Sequence, residues 1–470
     1  MAQKWWVLSA VACGTFMATL DSSIVTIALP TLMKEFGADL AWVKWVIISH
    51  LLAITCLLLP MGRLSDLYGR KRIFGLGFIL FILSSFFCGL SPSLWFLIGA
   101  RIMQGIGAAM LMSNGPAIIT ATFPKQELGK ALGTMAMVTS AGLISGPSIG
   151  GLLITQIGWR TVFLLNIPVG IAGIYLVFKN VLADPIIPVS KKFDWKGAFL
   201  QFVGINTFII VFDPQILPLN DNEIFSKLRI ALIGLAVFCG VAFLLLERKC
   251  ANPLIDLSIL KIRPFWSGNL AAFLTFVAFS SVSVLMPFFL EEVMRYSPPL
   301  VGLIMTTIPL TVFVVAPISG RLADRYGSFG FSVAGTAVGA VGLLLMSGYI
   351  FGQGIQTSVS QASLILVMSC IGLATGLFQS PNNISIMTSV PTEKLGAASA
   401  MIATVRNLGL VTGAGFSTDL FLVRYQNTSN FIDALHFTHF LSGLVALGAV
   451  AASFGKIGQK PLFLRRKKNG

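Results

Sequence analysis

Residues 62–72 read GRLSDLYGRKR, a dense charged run set between two long apolar segments. The run has an echo at 320–327, GRLADRYG. Gly62, Arg63, Leu64, Asp66, Tyr68 and Gly69 recur as Gly320, Arg321, Leu322, Asp324, Tyr326 and Gly327, a constant 258 positions later. A second match pairs Pro124, Leu128, Gly129, Gly142 and Gly146 with Pro391, Leu395, Gly396, Gly409 and Gly413, at a constant 267. Self-similarity at a fixed offset marks a chain built from like halves. The nine-residue difference between the offsets is one loop insertion.

What surrounds the run is apolar. Of 470 residues 55% are hydrophobic and only 11% charged, with mean hydropathy +0.86. Soluble domains carry about 25% charged residues, so this chain has no large water-facing surface. Its net charge of +15 does not point to nucleic acid. The basic groups sit in short loops between apolar runs, not in one patch with base-reading neighbours. The runs are each long enough, at roughly 20 residues, to cross a bilayer as a helix. They fall at 5–29, 42–61, 73–90, 94–116, 131–153, 161–178, 195–213, 228–246, 265–290, 299–319, 329–350, 361–380, 396–420 and 437–455. The expectation is an all-α polytopic membrane protein with 14 transmembrane helices.

Orientation follows from Lys and Arg. With the N-terminus inside, 24 of the 33 basic residues fall in inner segments and seven in outer loops, so both termini are expected in the cytoplasm. Trp5 and Trp6 after Lys4 read as the interfacial anchor of a retained first helix. The six cysteines show no metal spacing and read as packing residues. The matched segments make spans 1–6 and 9–14 equivalent units and spans 7 and 8 an insert. The expected domains are therefore 1–180, a six-helix bundle; 181–264, linkers and two inserted helices; 265–456, a second six-helix bundle; and 457–470, a basic cytoplasmic tail. In a membrane chain, two like halves imply a carrier with its site between them.

Four stretches carry a family resemblance. GRLSDLYGRKR between spans 2 and 3 resembles the signature loop of the major facilitator superfamily. LDSSIVTIALP (20–30) in span 1, RIMQGIGAA (101–109) in span 4 and GLISGPSIGG (142–151) in span 5 resemble signatures of its drug:proton antiporter branch. Fourteen spans point to that branch's fourteen-helix group. The resemblance covers nearly the whole chain. The loop marks the superfamily, and the span-5 motif is the more specific mark of antiport.

Each motif also has its own physics. Asp66 and Arg70 are four apart and able to pair on one helical turn, and Gly62 and Gly69 allow tight backbone passage. The resemblance implies that the loop is an inner-side latch, with Asp66 facing a helix terminus of the other half. Asp324 marks a second copy that lacks the trailing Arg-Lys-Arg. The plainer reading is a positive-inside anchor. Gly142, Gly146 and Gly150 recur every four residues on one face that a neighbouring helix can approach closely, and Pro147 favours a kink. Gly409 and Gly413 repeat the small face. Two such faces against each other would make a sliding contact between halves; otherwise they serve ordinary close packing.

Ionisable groups inside the spans are the sharpest functional signal, because a charge at the bilayer centre costs about 2.5–3.5 kcal/mol on insertion scales. Counted from the outer side at 1.5 Å per residue, Asp21 lies about 13 Å deep, Arg101 about 10 Å and His50 about 12 Å. Asp21 is expected to be the protonatable carboxylate, loading and releasing a proton as its surroundings change. The alternative is a static Asp21–Arg101 tie. The resemblance places Arg101 in the coupling machinery. His50 stands where related sequences usually carry tyrosine. It either joins the proton path, since imidazole titrates near neutrality, or is simply hydrogen-bonded. Arg406 resembles a family arginine at the interface of the halves.

Gln104 and Asn114 in span 4, and Gln379, Asn382 and Asn383 at the end of span 12, are polar groups on helices that line the central cavity in this architecture. They are candidate substrate contacts, together with Arg406 and Glu291. Pro381 is expected to break span 12 there. The abundance of Phe (37) and Met (16) suits adaptable packing against varied greasy molecules.

The resulting expectation is a proton-coupled antiporter exporting hydrophobic or amphipathic compounds. It would sit as a monomer in a bacterial-type plasma membrane among lipids, with a proton gradient as its energy source. It would use no cofactor, metal or nucleic acid. Asp21→Asn is expected to abolish gradient-driven efflux and leave folding intact. The rival on the same scaffold is a lipid or lipid-precursor exporter; from another class, a non-transporting sensor or scaffold. No GxSxG, P-loop, HExxH or paired-acid pattern stands at a usable place, so an enzyme is not expected.

Overall fold

A computed structural model describes residues 2–181, 193–211, 223–250, 254, 257–348, 360–391 and 395–456. The basic tail at 457–470 lies outside them. Sixteen α-helices carry the described chain: α1 (Ala2–Phe36), α2 (Leu40–Val43), α3 (Trp45–Tyr68), α4 (Arg70–Gly89), α5 (Leu94–Thr122), α6 (Lys125–Gln156), α7 (Arg160–Leu164), α8 (Asn166–Asn180), α9 (Trp195–Val211), α10 (Glu223–Lys249), α11 (Arg263–Phe288), α12 (Pro298–Tyr326), α13 (Ser328–Ser347), α14 (Gln361–Ser389), α15 (Leu395–Thr428) and α16 (Phe431–Ser453). In hydrocarbon every backbone polar group must be satisfied within the segment, which leaves the helix as the default for apolar runs of this length. Among the described residues, twelve spans are long and apolar enough to cross a membrane. Of the other two expected spans, α9 is a shorter apolar helix. The long α15 is not among the twelve; Arg406, Asn407 and many small polar residues lower its mean hydropathy.

The chain forms two compact units, Met1–Leu257 and Ser258–Gly470. In the first, α1 packs on α5, α6 and α8; α5 also receives α3 and α4; and α4 packs on α8. The two inserted helices belong to this unit, α10 against α9 and α9 against α3. In the second unit, α11 packs on α14, α15 and α16; α14 also receives α12 and α13; and α13 packs on α16. The inserted helices aside, each of these pairings in one unit has its counterpart in the other, as the two sequence matches require. At one end of the first unit, Lys4 Nζ meets Glu127 Oε2 at 2.5 Å and the Trp5 ring sits edge-on to Phe123.

The repeated loop breaks the helix at its last glycine. Gly69 has φ +95° and ψ 130°, and Gly327 has φ +96° and ψ 149°. Residues with a Cβ rarely adopt this region, so α3 and α12 each end one residue earlier. Asp66 and Arg70 therefore lie on different helices and not on one turn of a single helix; their pairing lies outside the described residues. Gly62 lies inside α3. The Asp66 and Asp324 side chains lie outside the described residues.

The glycine faces pack against helices of their own units. Gly142, Gly146 and Gly150 face α1: a Cβ at the first two would run into the Thr19 and Ser23 hydroxyls, and at Gly150 it would meet Ile24 Cγ1 at 2.7 Å. Gly409 and Gly413 face α11, with Phe273 O 2.9 Å and Val277 O 2.5 Å from a Cβ at each. The Ser23 hydroxyl donates across the first seam to Gly142 O (3.3 Å), and the Ser280 hydroxyl across the second to Leu410 O (3.3 Å). Each face is thus consumed inside its own unit. α6 runs on through Pro147, which is buried. α14 likewise continues through Pro381, so the expected break is absent.

Gly146→Leu should open the α1–α6 seam. Overpacking of a filled contact costs about 1–3 kcal/mol, so the midpoint of thermal unfolding of purified protein should fall. Gly99→Ala, where nothing lies within 4 Å of the added Cβ, is the control and should leave it unchanged or higher.

Candidate functional site

The three ionisable residues placed at similar depth by counting meet in one buried cluster. Asp21 of α1 is fully buried, and Arg101 of α5 and His50 of α3 are 1% exposed. Asp21 Oδ2 accepts from Arg101 Nη1 at 2.5 Å. Its Oδ1 accepts from Gln104 Nε2 at 2.9 Å and from Asn166 Nδ2 at 2.8 Å. Gln104 Oε1 in turn accepts from Arg101 Nη1 at 2.5 Å, and Gln104 Nε2 also donates to Ser85 Oγ at 2.7 Å. Arg101 Nε donates to Val46 O at 3.0 Å, and its guanidinium stands 5.8 Å from the Phe163 ring centroid.

Five helices supply this network: α1, α3, α4, α5 and α8. Their approach is set by small residues. A Cβ at Gly105 would lie 2.6 Å from His50 O and 2.7 Å from Ala53 Cβ. Only glycine lets α3 come this close to α5. With that approach, His50 Nδ1 lies 3.3 Å from Arg101 O and Nε2 3.8 Å from Asp21 Oδ2. One carboxylate and one guanidinium are thus removed from water together. The desolvation cost of such a pair is offset only by good geometry and full hydrogen bonding, which the two amides, the hydroxyl and the Val46 carbonyl provide.

Gln104, expected at the substrate, is committed to this network through its nitrogen and its oxygen. Asn166 and Ser85 belong to it and were not anticipated. The signal available was a polar residue inside an apolar span, and many such residues only bond back along their own helix. Asn114 is one: it is buried, with Nδ2 donating to Met110 O at 2.7 Å and to Ser113 Oγ at 3.2 Å. The other residues expected at the substrate lie in the second unit. Asn382 is buried with Nδ2 donating to Gly268 O at 3.2 Å; Gln379, Asn383 and Arg406 are half-buried. Glu291 lies half-buried in a π-turn, Phe289–Val293. Buried Asp419 of α15 and fully buried His439 of α16 were not singled out.

The second unit has the same crossings without the polar cluster. A Cβ at Gly372 would lie 2.6 Å from Ile308 O, as one at Gly105 does from His50 O. The same offsets place Met368 at the position of Arg101 and Ile371 at that of Gln104. The matched seams place Ala278 at the position of Asp21. Ala278, Met368 and Ile371 are all buried.

Comparison with known proteins agrees with this architecture. The family model described as Major Facilitator Superfamily matches residues 11–414. The chain belongs to the Major Facilitator Superfamily. Similar members include "Riboflavin transporter RibZ" of Clostridioides difficile, 35% identical over 90% of this chain and 89% of the relative. "Multidrug resistance protein Stp" of Mycobacterium tuberculosis is 31% identical over 86% of this chain and 74% of its own. "Multidrug export protein EmrB" of Haemophilus influenzae is 26% identical over 95% and 84%. This superfamily member is a multi-pass transporter and not an enzyme, and its bacterial relatives imply the plasma membrane.

The burial of the pair revises the expectation that Asp21→Asn leaves folding intact. Removing one partner of a buried pair leaves a buried charge uncompensated and costs about 3–5 kcal/mol. The single variant should melt markedly lower than the wild type in a thermal unfolding assay. Asp21→Asn combined with Arg101→Met should recover much of the loss.

Proposed function

We propose that this superfamily member is a proton-coupled antiporter exporting hydrophobic or amphipathic compounds by alternating access, with fourteen transmembrane helices and both termini in the cytoplasm. One observation carries the reading: the buried Asp21–Arg101 pair, with its amide and hydroxyl partners, found among the described residues in the first unit only. A fully desolvated ion pair is poor as a stabiliser, since apolar residues of similar volume do as well or better. An intramembrane acid is a functional site by default. Protonation of Asp21 would cancel its attraction for Arg101 and leave the guanidinium seeking other partners. Two arrangements of the unit would then differ in energy by the state of one proton. The relatives named for multidrug resistance and multidrug export favour export of varied compounds.

The loop at 62–72 and its copy are proposed as gating elements. Gly69 and Gly327 share one backbone conformation at the ends of α3 and α12, and Asp66, Arg70 and Asp324 stand beside them. Gly142, Gly146, Pro147 and Gly150 would act in gating indirectly, by tying α6 rigidly to α1.

A second reading of the substrate has its own support. The relative named as a riboflavin transporter matches nearly the full length of both chains. A flavin is itself amphipathic, with a flat heterocycle and a polyol tail. It fits within the proposed class as one specific member.

Proteoliposomes with an imposed pH gradient test both readings, with riboflavin and ethidium as separate probes. The gradient should accelerate movement of at least one probe in the wild type by about tenfold or more. Asp21→Asn should lose that acceleration, and Asp21→Glu should keep part of it. Gradient-driven transport of wild-type rate in Asp21→Asn would defeat the coupling assignment. Transport of riboflavin alone would favour the flavin reading.

A further inference from the structure

The imidazole of His50 has one nitrogen engaged and the other idle. Nδ1 lies 3.3 Å from the Arg101 carbonyl oxygen, which only accepts hydrogen bonds. The hydrogen of the neutral ring therefore belongs on Nδ1. That leaves Nε2 with its lone pair, fully buried and without a hydrogen-bond partner. It points at Asp21 Oδ2, 3.8 Å away, which is also an acceptor. Two lone pairs facing each other in a dry site are a vacancy for one proton.

We propose that His50 Nε2 and Asp21 Oδ2 hold a single proton between them, and that His50 is its seat. The proposal rests on the proton-coupling reading above. A proton arriving from water forms a bond to Nε2, whose lone pair supplies the electrons. The imidazolium N–H then donates to Oδ2 while Asp21 stays a carboxylate. Release reverses the step, and no other bond is made or broken. At 3.8 Å the two atoms are too far apart for a hydrogen bond, so loading must draw them together by about 1 Å. Closure at Oδ2 competes with Arg101 Nη1 for the same oxygen, which gives the proton a direct grip on the ion pair.

The surroundings limit what else can take part. From α1 the group facing His50 is Asp21, and from α5 it is Arg101, backed by Gln104. From α4 the Phe81 ring stands edge-on at 6.5 Å, and the Cys88 thiol is turned to Gln104 Oε1 at 3.8 Å. From α9 the polar contact with α3 is Asn206 Nδ2 to Cys56 Sγ at 3.4 Å, more than a turn beyond His50. Buried Lys44, just ahead of α3, is six residues before His50. The unloaded cluster balances one negative against one positive charge. The loaded cluster carries one net positive charge away from water, an unstable condition that favours rearrangement.

Nitrogen NMR of the full-length protein, labelled with 15N-histidine and held in lipid bilayers, tests this without any transported substrate. The chain has three histidines, and His50→Gln identifies the signals of interest by their loss. The neutral His50 ring should be the Nδ1–H form, with Nε2 at the shift of an unprotonated nitrogen. Stepwise acidification should convert Nε2 to the protonated shift in a single step. In Asp21→Asn that step should move to markedly lower pH or vanish, and in Asp21→Glu it should persist. A neutral ring protonated at Nε2, or the same conversion with and without the carboxylate, would overturn the proposal. If Asp21→Asn is too unstable to measure, the wild-type tautomer and Asp21→Glu still decide it. A correct tautomer and titration in a protein whose transport ignores the pH gradient would strike the coupling reading alone. Gradient-driven transport with the wrong tautomer would strike the seat alone.

Discussion

The first unit is organised by one electrostatic constraint: a carboxylate and a guanidinium share a space without water. Asp21 and Arg101 are on different helices and cannot be left apart, since an isolated buried charge costs several kcal/mol. Everything near them follows. α5 must pass close enough to α3 for Arg101 Nε to reach the Val46 carbonyl, hence the bare Gly105 at the crossing. α8 must begin with an amide at the depth of the carboxylate, hence Asn166. α4 must turn a hydroxyl inward, hence Ser85. Five helices thus converge on a point that lipid-facing packing alone would not require.

Much of the architecture was legible in the sequence because membrane helices are read from length and hydropathy, which are one-dimensional. Depth is one-dimensional too. Counting residues placed Asp21, Arg101 and His50 in one layer, and in the structure they touch. Rotation about the helix axis is another matter. When a helix is apolar on nearly every side, periodicity no longer indicates which face turns inward. Asn166 and Ser85 therefore looked no different from Asn114 or the many serines that bond to their own helix, and the hydrogen bonds of Gln104 to the ion pair were not visible.

Partners and helix ends were hidden for similar reasons. A stripe of small residues says that something approaches closely but does not say what. The stripe of α6 meets α1, and that of α15 meets α11, within their own units. Asp66 and Arg70 have helical spacing, yet the positive φ of Gly69 ends the helix between them. Proline inside a membrane helix removes one backbone donor, but α14 passes Pro381 without interruption, because neighbouring helices, side chains and small local adjustments can make good such a loss.

The dry counterpart of the cluster has a consequence of its own. At Ala278, Ile308, Met368 and Ile371 the second unit keeps the crossings of the first but none of its charge. Hydrophobic cores tolerate wholesale exchange of side chains if volume and pattern are kept; a saturated polar network tolerates almost none. The duplicated chain has therefore become two materials. One bundle is fixed in composition around Asp21 by its saturated polar network. At these four positions the other needs only volume and pattern, and apolar side chains can be exchanged there without leaving a charge unpaired.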